Sequence, residues 1–362
     1  MGLLNYYIYK RFFKKLHHPF SSYSFIIPSV LMLAEVFFVI EAITHSIVNS
    51  ALLYYVLAAS IGITFLLFVV ALVYDLNLSL FKKVPYQQSR RKFIKITFDI
   101  TMLILAFSYL FKGLKGGLSD PILNTINVAI KGFTADDYTI IQLSDVHIGR
   151  TIKKEFIERL VQRVNDEKPN IVVLTGDLID YDLDKIKEDL APLQNLSAPC
   201  YFILGNHEFF HGATRIIKHI KSLNIKVLIN ENLRITDKNV SFNLIGLSDI
   251  TGERIGLYPM DIPKAYTGID TAIPSIVLAH QPKTILRLKN RACDLMLSGH
   301  THGGQIFPFG LLVMVDQPYL AGLYQHTALQ QIFVSRGAGY WGPPIRVLAP
   351  SEISKIIIRH TV

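Results

Sequence analysis

Cysteine is almost absent from this chain of 362 residues, with Cys200 and Cys293 the only two. So few exclude a disulfide framework, and both sit on or just before apolar, strand-like runs as small buried hydrophobes. Charge is also scarce, at 18% of residues against 50% hydrophobic, which points to a membrane part. Acidic residues are rarest at the start. Residues 1–117 carry four Asp or Glu against twelve Lys or Arg, whereas residues 118–362 carry 24 against 25. The net charge of +9 therefore belongs to the first third, where it flanks hydrophobic segments. A nucleic-acid binder would gather it on a polar domain, so nucleic acid is excluded as a partner. No internal repeat or low-complexity segment is present.

What is there begins with three apolar runs, at about residues 24–47, 51–74 and 96–111. About 20 apolar residues cross a bilayer as a helix, so all three read as transmembrane spans. The second has no charge, the third is short and carries Asp99, and the first holds Glu35 mid-span and Glu41 near its end. An intramembrane carboxylate is a functional candidate, but Glu35 also fits as a group bonded to a neighbouring helix. Lys10, Arg11, Lys14 and Lys15 precede the first span. Lys82, Lys83, Arg90, Arg91, Lys92 and Lys95 lie between the second and third, and no Lys or Arg separates the first two. The positive-inside rule makes both basic segments cytoplasmic and places everything after Phe111 outside, against the pull of Lys112 and Lys115. Ser89-Arg90-Arg91-Lys92-Phe93-Ile94-Lys95 resembles a twin-arginine export signal. No small-residue cleavage site follows, so the third span would remain as an anchor. The expected division is a membrane region over residues 1–117 and a catalytic domain over residues 118–362.

From about Asn127 strands and helices alternate. Strands are expected over residues 138–143, 171–175, 201–204, 225–229, 240–247, 275–278 and 295–297, and helices over 153–165, 183–193 and 212–223. The tail, residues 311–358, reads as mostly strand with turns at Gly310, Gly322 and residues 337–342. The βαβ order of the first half implies parallel strands. The fold class is therefore α/β, two mixed sheets packed as a sandwich and flanked by helices.

Five polar runs directly follow these strands: Asp145-Val146-His147, Gly176-Asp177, Gly205-Asn206-His207-Glu208, Ala279-His280 and Gly299-His300-Thr301-His302. Strand ends are where such a fold gathers ligands. Asp and His donors without cysteine suit Mn, Fe or Zn. Seven candidates, namely Asp145, His147, Asp177, Asn206, His280, His300 and His302, are too many for one tetrahedral ion and suffice for two. Two ions about 3.5–4 Å apart can share a carboxylate, generate hydroxide near neutral pH and neutralise charge on a phosphoryl group. In Asp145-x-His147 and His300-x-His302, both members reach one side in an extended segment, or one site in a tight loop.

These motifs, in this order, resemble the calcineurin-like metallophosphoesterases over roughly residues 125–360. Ser-Asp-Val-His-Ile-Gly at 144–149 and Ser-Gly-His-Thr-His-Gly-Gly-Gln at 298–305 are similar to the membrane-associated or twin-arginine-exported bacterial branch. The resemblance implies that Asp145, His147 and His302 bind a first metal, that Asn206, His280 and His300 bind a second, and that Asp177 bridges. His207 would stabilise the phosphoryl group or protonate the leaving oxygen. Glu208 stands where many members have aspartate and reads as structural. The implied activity is phosphoester hydrolysis by a metal-bridged hydroxide, in the bacterial cytoplasmic membrane with the domain outside, on a lipid-linked or envelope substrate.

Other residues are candidates of lower rank. Arg336 and Arg346 could clamp phosphate, His211 could line the site, and Asp180 could orient a ligand or cap a loop. Trp341, in Tyr340-Trp341-Gly342-Pro343-Pro344, could shape a rim, face the bilayer or simply pack. Gly303 and Gly304 let backbone approach the metals. His17, His18, His45, His219, His326 and His360 read as ordinary polar residues. Two alternatives remain: a diphosphatase acting on UDP-diacylglucosamine in lipid A synthesis, or a membrane sensor built on Glu35 and Asp99 with a phosphoesterase output. Neither substrate nor oligomeric state is written in these motifs.

Overall fold

In the computed structural model the chain forms two units, residues 1–118 with 342–347, and residues 119–341 with 348–362. The structure describes residues 1–16, 21–44, 48, 50–81, 88–134, 137–237 and 240–361. His17, His18, His45, Lys82 and Lys83 lie outside the described residues.

Among the described residues the first unit holds three helices long and apolar enough to cross a membrane, Ile26–Thr44, Ala51–Ser79 and Lys92–Leu118. They belong to helices Ile26–Thr44, Ala51–Phe81 and Gln88–Leu118. The second and third run well past the expected apolar cores, because helix continues into their polar flanks. The helix beginning at Gln88 takes in Arg90 and Arg91. The N-terminal arm is itself a helix, Gly2–Arg11. Its Asn5 donates to the buried Glu35 carboxylate at 2.8 Å, which is the neighbouring-helix bond expected. Glu41 accepts from the Val48 amide at 2.8 Å, and Asp99 from the Tyr74 hydroxyl at 2.8 Å. Residues 342–347 join this unit against the end of the last helix. There a Cβ on Gly117 would lie 2.0 Å from the Pro344 carbonyl oxygen, so only glycine admits the segment.

The second unit has the expected fold, two six-stranded mixed sheets with helices outside. In spatial order the first sheet is Ile122–Lys131, Glu352–Thr361, Tyr138–Leu143, Ile171–Leu174, Cys200–Phe202 and Lys226–Val227. The last four strands are parallel, and Glu352–Thr361 runs antiparallel to Tyr138–Leu143. The second sheet is Gly322–Gln325, Gln331–Val334, Leu295–Ser298, Ser275–Leu278, Val240–Gly246 and Glu231–Asp237. Its four inner strands are parallel and its two edges antiparallel.

Side chains alternate across each strand. Ile171 and Val173 enter the core between the sheets, with Ile140, Ile276 and Leu297. Val172 and Leu174 face the outer layer, against Ile157, Leu160 and Val164 of helix Lys154–Asp166. Burial on both faces is why these strands read as unbroken apolar runs. The edge strands Ile122–Lys131 and Glu231–Asp237, half exposed, lack that signal. Residues 311–358 differ from expectation. Gly310–Asp316 is a helix, and strand is confined to Gly322–Gln325, Gln331–Val334 and Glu352–Thr361. A short apolar run cannot by itself be assigned to strand or helix.

Candidate metal centre

The inner strands end level. Leu143 pairs with Leu174 and Leu174 with Phe202, while Gly246 pairs with Leu278 and Leu278 with Leu297. The first sheet therefore delivers Asp145, His147, Asp177 and Asn206, and the second delivers His280, His300 and His302, to one edge of the sandwich. Buried Gln142 joins the sheets there, donating to the Thr175 hydroxyl and the Ser298 carbonyl at 2.8 Å each.

The loops are tight rather than extended. Asp145, His147, Asp177, His300 and His302 all have φ between 50° and 72°. Left-handed backbone at non-glycine residues costs about 1–3 kcal/mol each and persists where the surroundings enforce it. Two glycines let the loops interlock. A Cβ on Gly205 would lie 2.2 Å from Asp177 Oδ1, and one on Gly299 would lie 2.2 Å from Asp145 Oδ2. In exchange the His207 amide donates to Asp177 Oδ1 at 2.9 Å, and the His300 amide to both Asp145 oxygens at 3.0 Å.

The remaining donors converge. Asp145, His147 and His302 form one group with ligand atoms within 4.8 Å of one another, and Asp177, His280 and His300 form another. His147 Nε2 lies 3.0 Å from His302 Nε2, and Asp145 Oδ1 lies 3.4 Å from His302 Nε2. Two nitrogens held about 2.1 Å from one ion at a right angle are about 3.0 Å apart, so this pair fits a shared cation. His280 gives the second test. Its Nδ1–H donates to the Thr175 carbonyl at 2.8 Å, which leaves Nε2 facing Asp177 Oδ2 at 3.2 Å and Asn206 Oδ1 at 3.1 Å. Three lone-pair atoms meeting in a buried pocket need a cation, and a metal-binding histidine is ordinarily fixed through its other nitrogen in this way. Asp177 Oδ2 is also 4.0 Å from His147 Nε2, which places it between the groups.

The ionisation of these groups agrees. Burial and the charge of His207 hold His147 at about 4, and burial and the charge of His280 hold His300 at about 3, so both are neutral at neutral pH, the form that can bind a metal. Burial pushes Asp145 up to about 6. Burial would also raise Asp177, but His280, His207 and His147 outweigh it and hold the carboxylate well below its usual range. Burial would lower His280, but the carboxylates of Asp177, foremost, and of Asp145 and Asp249 outweigh it and lift the imidazole well above its usual value. A proton is held where a cation would sit.

His207 opens helix Asn206–Phe210 beside this cluster. Its Nδ1 pairs with Asp180 Oδ1 at 2.7 Å, and its Nε2 lies 3.9 Å from Asp177 Oδ2. Burial lowers its affinity for a proton, but Asp177 and the Asp180 bond raise it further, to about 9. His211 reaches the same Asp180 oxygen at 3.4 Å. Asp180 thus holds the histidine pair, the orienting role rather than the loop cap. We expect Asp180→Asn to lower kcat about 10–100-fold. It should also move the alkaline limb of the rate–pH profile to lower pH, because a weaker partner releases the His207 proton sooner. An unmoved limb would deny Asp180 that role.

Glu208 is structural, as expected, and its role is specific. One buried carboxylate accepts from the amides of Asp177, Leu178, Ile179 and Gly205 at 2.7 to 3.2 Å. The backbone contacts of Glu208 and the carbonyl of Thr175 are the site features that motif spacing did not disclose. Arg336 lies by Gly303, whose Cβ would be 3.0 Å from Arg336 Cγ, and its guanidinium pairs with buried Glu352 at 3.1 Å. Arg346 belongs to the first unit, buried, with its amide bonded to the Gly113 carbonyl at 3.0 Å.

A calcineurin-like phosphoesterase profile matches residues 138–304. An uncharacterized metallophosphoesterase of Campylobacter jejuni is 35% identical over 362 residues, covering 97% of this chain and 94% of that one. A Helicobacter pylori metallophosphoesterase, also uncharacterized, is 38% identical over 296 residues, covering 81% and 78%. Fold, donor set and relatives agree, and the chain belongs to the metallophosphoesterase family of metal-dependent phosphoric ester hydrolases. More particularly, it is similar to a bovine transmembrane protein with metallophosphoesterase domain, 33% identical over 262 residues, 68% of this chain and 59% of that one.

Proposed function

We propose that the protein is a membrane-anchored hydrolase using two divalent cations on a lipid-borne or other envelope phosphoester, with its catalytic unit outside the cytoplasmic membrane. The carrying observation is the place of Asp177 Oδ2, 3.2 Å from His280 Nε2 and 4.0 Å from His147 Nε2. In this reading Asp145, His147 and His302 hold one cation, Asn206, His280 and His300 the other, and Asp177 lies between them. Mn, Fe and Zn all suit these donors. When bound, such ions polarise phosphoryl oxygens and lower the pKa of water.

The chain's own residues do the rest. The interlocked loops hold the donors at fixed separations, so no reorganisation is needed as charge develops. His207, charged and steadied by Asp180, presents Nε2 toward the centre and donates its proton to the leaving oxygen. A cleft of 360 Å³ lined by Asn206, His300, Arg254, Lys283 and Arg287, where Asp316 pairs with Lys283 and Glu253 with Arg287, keeps a net positive charge for the remainder of an anionic substrate.

Chelation of metal should reduce hydrolysis of a bis-aryl phosphate to the uncatalysed rate, and Mn, Fe or Zn should restore it. Full activity in metal-free protein would sink this reading. The basic segments around Lys10–Lys15 and Lys82–Lys95 support an outer catalytic unit. In spheroplasts, added protease should therefore digest residues beyond Leu118. Protection would instead place the site on the cytoplasmic side, within reach of a soluble nucleotide-linked substrate.

A further inference from the structure

The helix Gly310–Asp316, absent from expectation, has an unusual surface. Phe307, Phe309, Leu311, Leu312, Met314 and Val315 are all exposed, Leu311 at 65% and Val315 at 85%. From His302 through Val315 there is no Asp, Glu, Lys or Arg. Single exposed hydrophobes are ordinary, but six within nine residues form a patch that marks an interaction surface.

The patch adjoins the metal centre at both ends. At its start, a Cβ on Gly304, two residues past His302, would lie 2.4 Å from Gly310 Cα. At its finish, Asp316 pairs with Lys283 at 2.8 Å, and both line the cleft with Asn206 and His300. Gln305 extends the apolar rim. Its amide nitrogen donates to the Trp341 carbonyl, and its amide oxygen accepts from the Trp341 amide, each at 3.0 Å. The Trp341 indole is half exposed, with its ring 6.1 Å from that of His207.

We infer that residues 307–315 dip into the lipid bilayer and present the metal centre to phosphoesters borne by membrane lipids. The occupant follows from chemistry. Protein interfaces mix hydrogen-bonding and charged groups with apolar ones, whereas residues 302–315 carry no charge and meet it only at the Asp316–Lys283 pair beside the cleft. Interfacial membrane elements bury Phe and Leu below the headgroups and set Trp at their level. The chain also carries, among the described residues, three helices long and apolar enough to span a membrane, so a bilayer is at hand. The inference deepens the phosphoesterase reading by naming a lipid-borne substrate, but its surface test is independent of catalysis.

Cys200 and Cys293 are both buried, so a cysteine introduced by Val315→Cys can be labelled selectively with an environment-sensitive fluorophore in the full chain. The protein is reconstituted into phosphatidylglycerol–phosphatidylcholine vesicles, and a label at exposed Lys221→Cys sets the aqueous baseline. The Val315 label should shift to the blue, be quenched by bromine on the acyl chains, and resist aqueous iodide that quenches the Lys221 label. Equal iodide quenching at both positions, or energy transfer between Val315 labels of separate copies, would overturn the inference. A triple variant, Leu311→Ser with Leu312→Ser and Val315→Ser, should lose about tenfold or more of its hydrolysis of phosphatidylglycerolphosphate-type esters in the same vesicles. Its rate on a soluble bis-aryl phosphate should stay unchanged. Equal rates on the vesicle ester would also count against the inference. If the wild type hydrolyses neither ester while the label is quenched by lipid, the catalytic reading fails and the membrane contact stands.

Discussion

Asp177→Asn should leave a folded protein that has lost at least about 10³-fold of its hydrolytic rate, the equivalent of about 4 kcal/mol of transition-state charge stabilisation. Asparagine preserves the volume and can still accept from the His207 amide through its oxygen. What goes is the negative charge between two groups of donors. Asp177 Oδ2 faces His280 Nε2 at 3.2 Å, while His147 and His207 stand within 4.0 Å. Without that carboxylate, two cations held by those groups would lose the anion that screens them from each other. Metal content per chain should fall with the rate when measured by elemental analysis, and excess metal should restore little. A variant retaining full metal and full rate would show that Asp177 bridges nothing. Removing the negative charge also weakens the hold of His280 and His207 on their protons. In the metal-free variant both should titrate at lower pH, which NMR of the imidazoles can follow.

Glu208→Gln should be the most destabilising single-atom change near the site. The Glu208 carboxylate accepts four backbone amides, from Gly205 and from Asp177, Leu178 and Ile179. Glutamine offers one oxygen and turns an NH2 group toward backbone N–H donors. Leaving buried donors unmatched costs about 1–3 kcal/mol each. A loss of about 3–5 kcal/mol in all should lower the apparent Tm of the catalytic unit by about 10 °C, at about 2–4 °C per kcal/mol. Calorimetry of the full chain in detergent reads this directly, and a shift below about 2 °C would mean that water satisfies the amides. Activity should drop as well, because the carboxylate ties the loop bearing Asn206 and His207 to the loop bearing Asp177.

Much of this site was legible because its determinants are local. Residues 138–143 and 275–278 were bounded as observed, since strands buried on both faces are unbroken apolar runs closed by polar residues. The donor types followed from motifs that need only a few neighbouring positions. Less legible was anything set by distant packing. Helix Gly310–Asp316 read as strand because the short run Leu311-Leu312-Val313-Met314-Val315 has no period long enough to tell the two apart. Nor does arginine chemistry say which unit Arg346 joins. It lies with the membrane helices because Gly113, Gly116 and Gly117 let residues 342–347 approach them.

The sequence by itself determined the chemistry: carboxylate, amide and imidazole donors at the ends of parallel strands, behind three apolar helices. The tertiary structure alone decided how those donors meet. The tautomer of His280 depends on the carbonyl of Thr175, 105 residues away, and the His147–His302 pair joins residues 155 apart. The two sheets are bound at the site by Gln142 and Ser298, 156 residues apart. Such contacts exist only once two separate sheets have packed, because the geometry of a buried polar cluster is set by whichever groups the fold leaves beside one another. No local propensity encodes that.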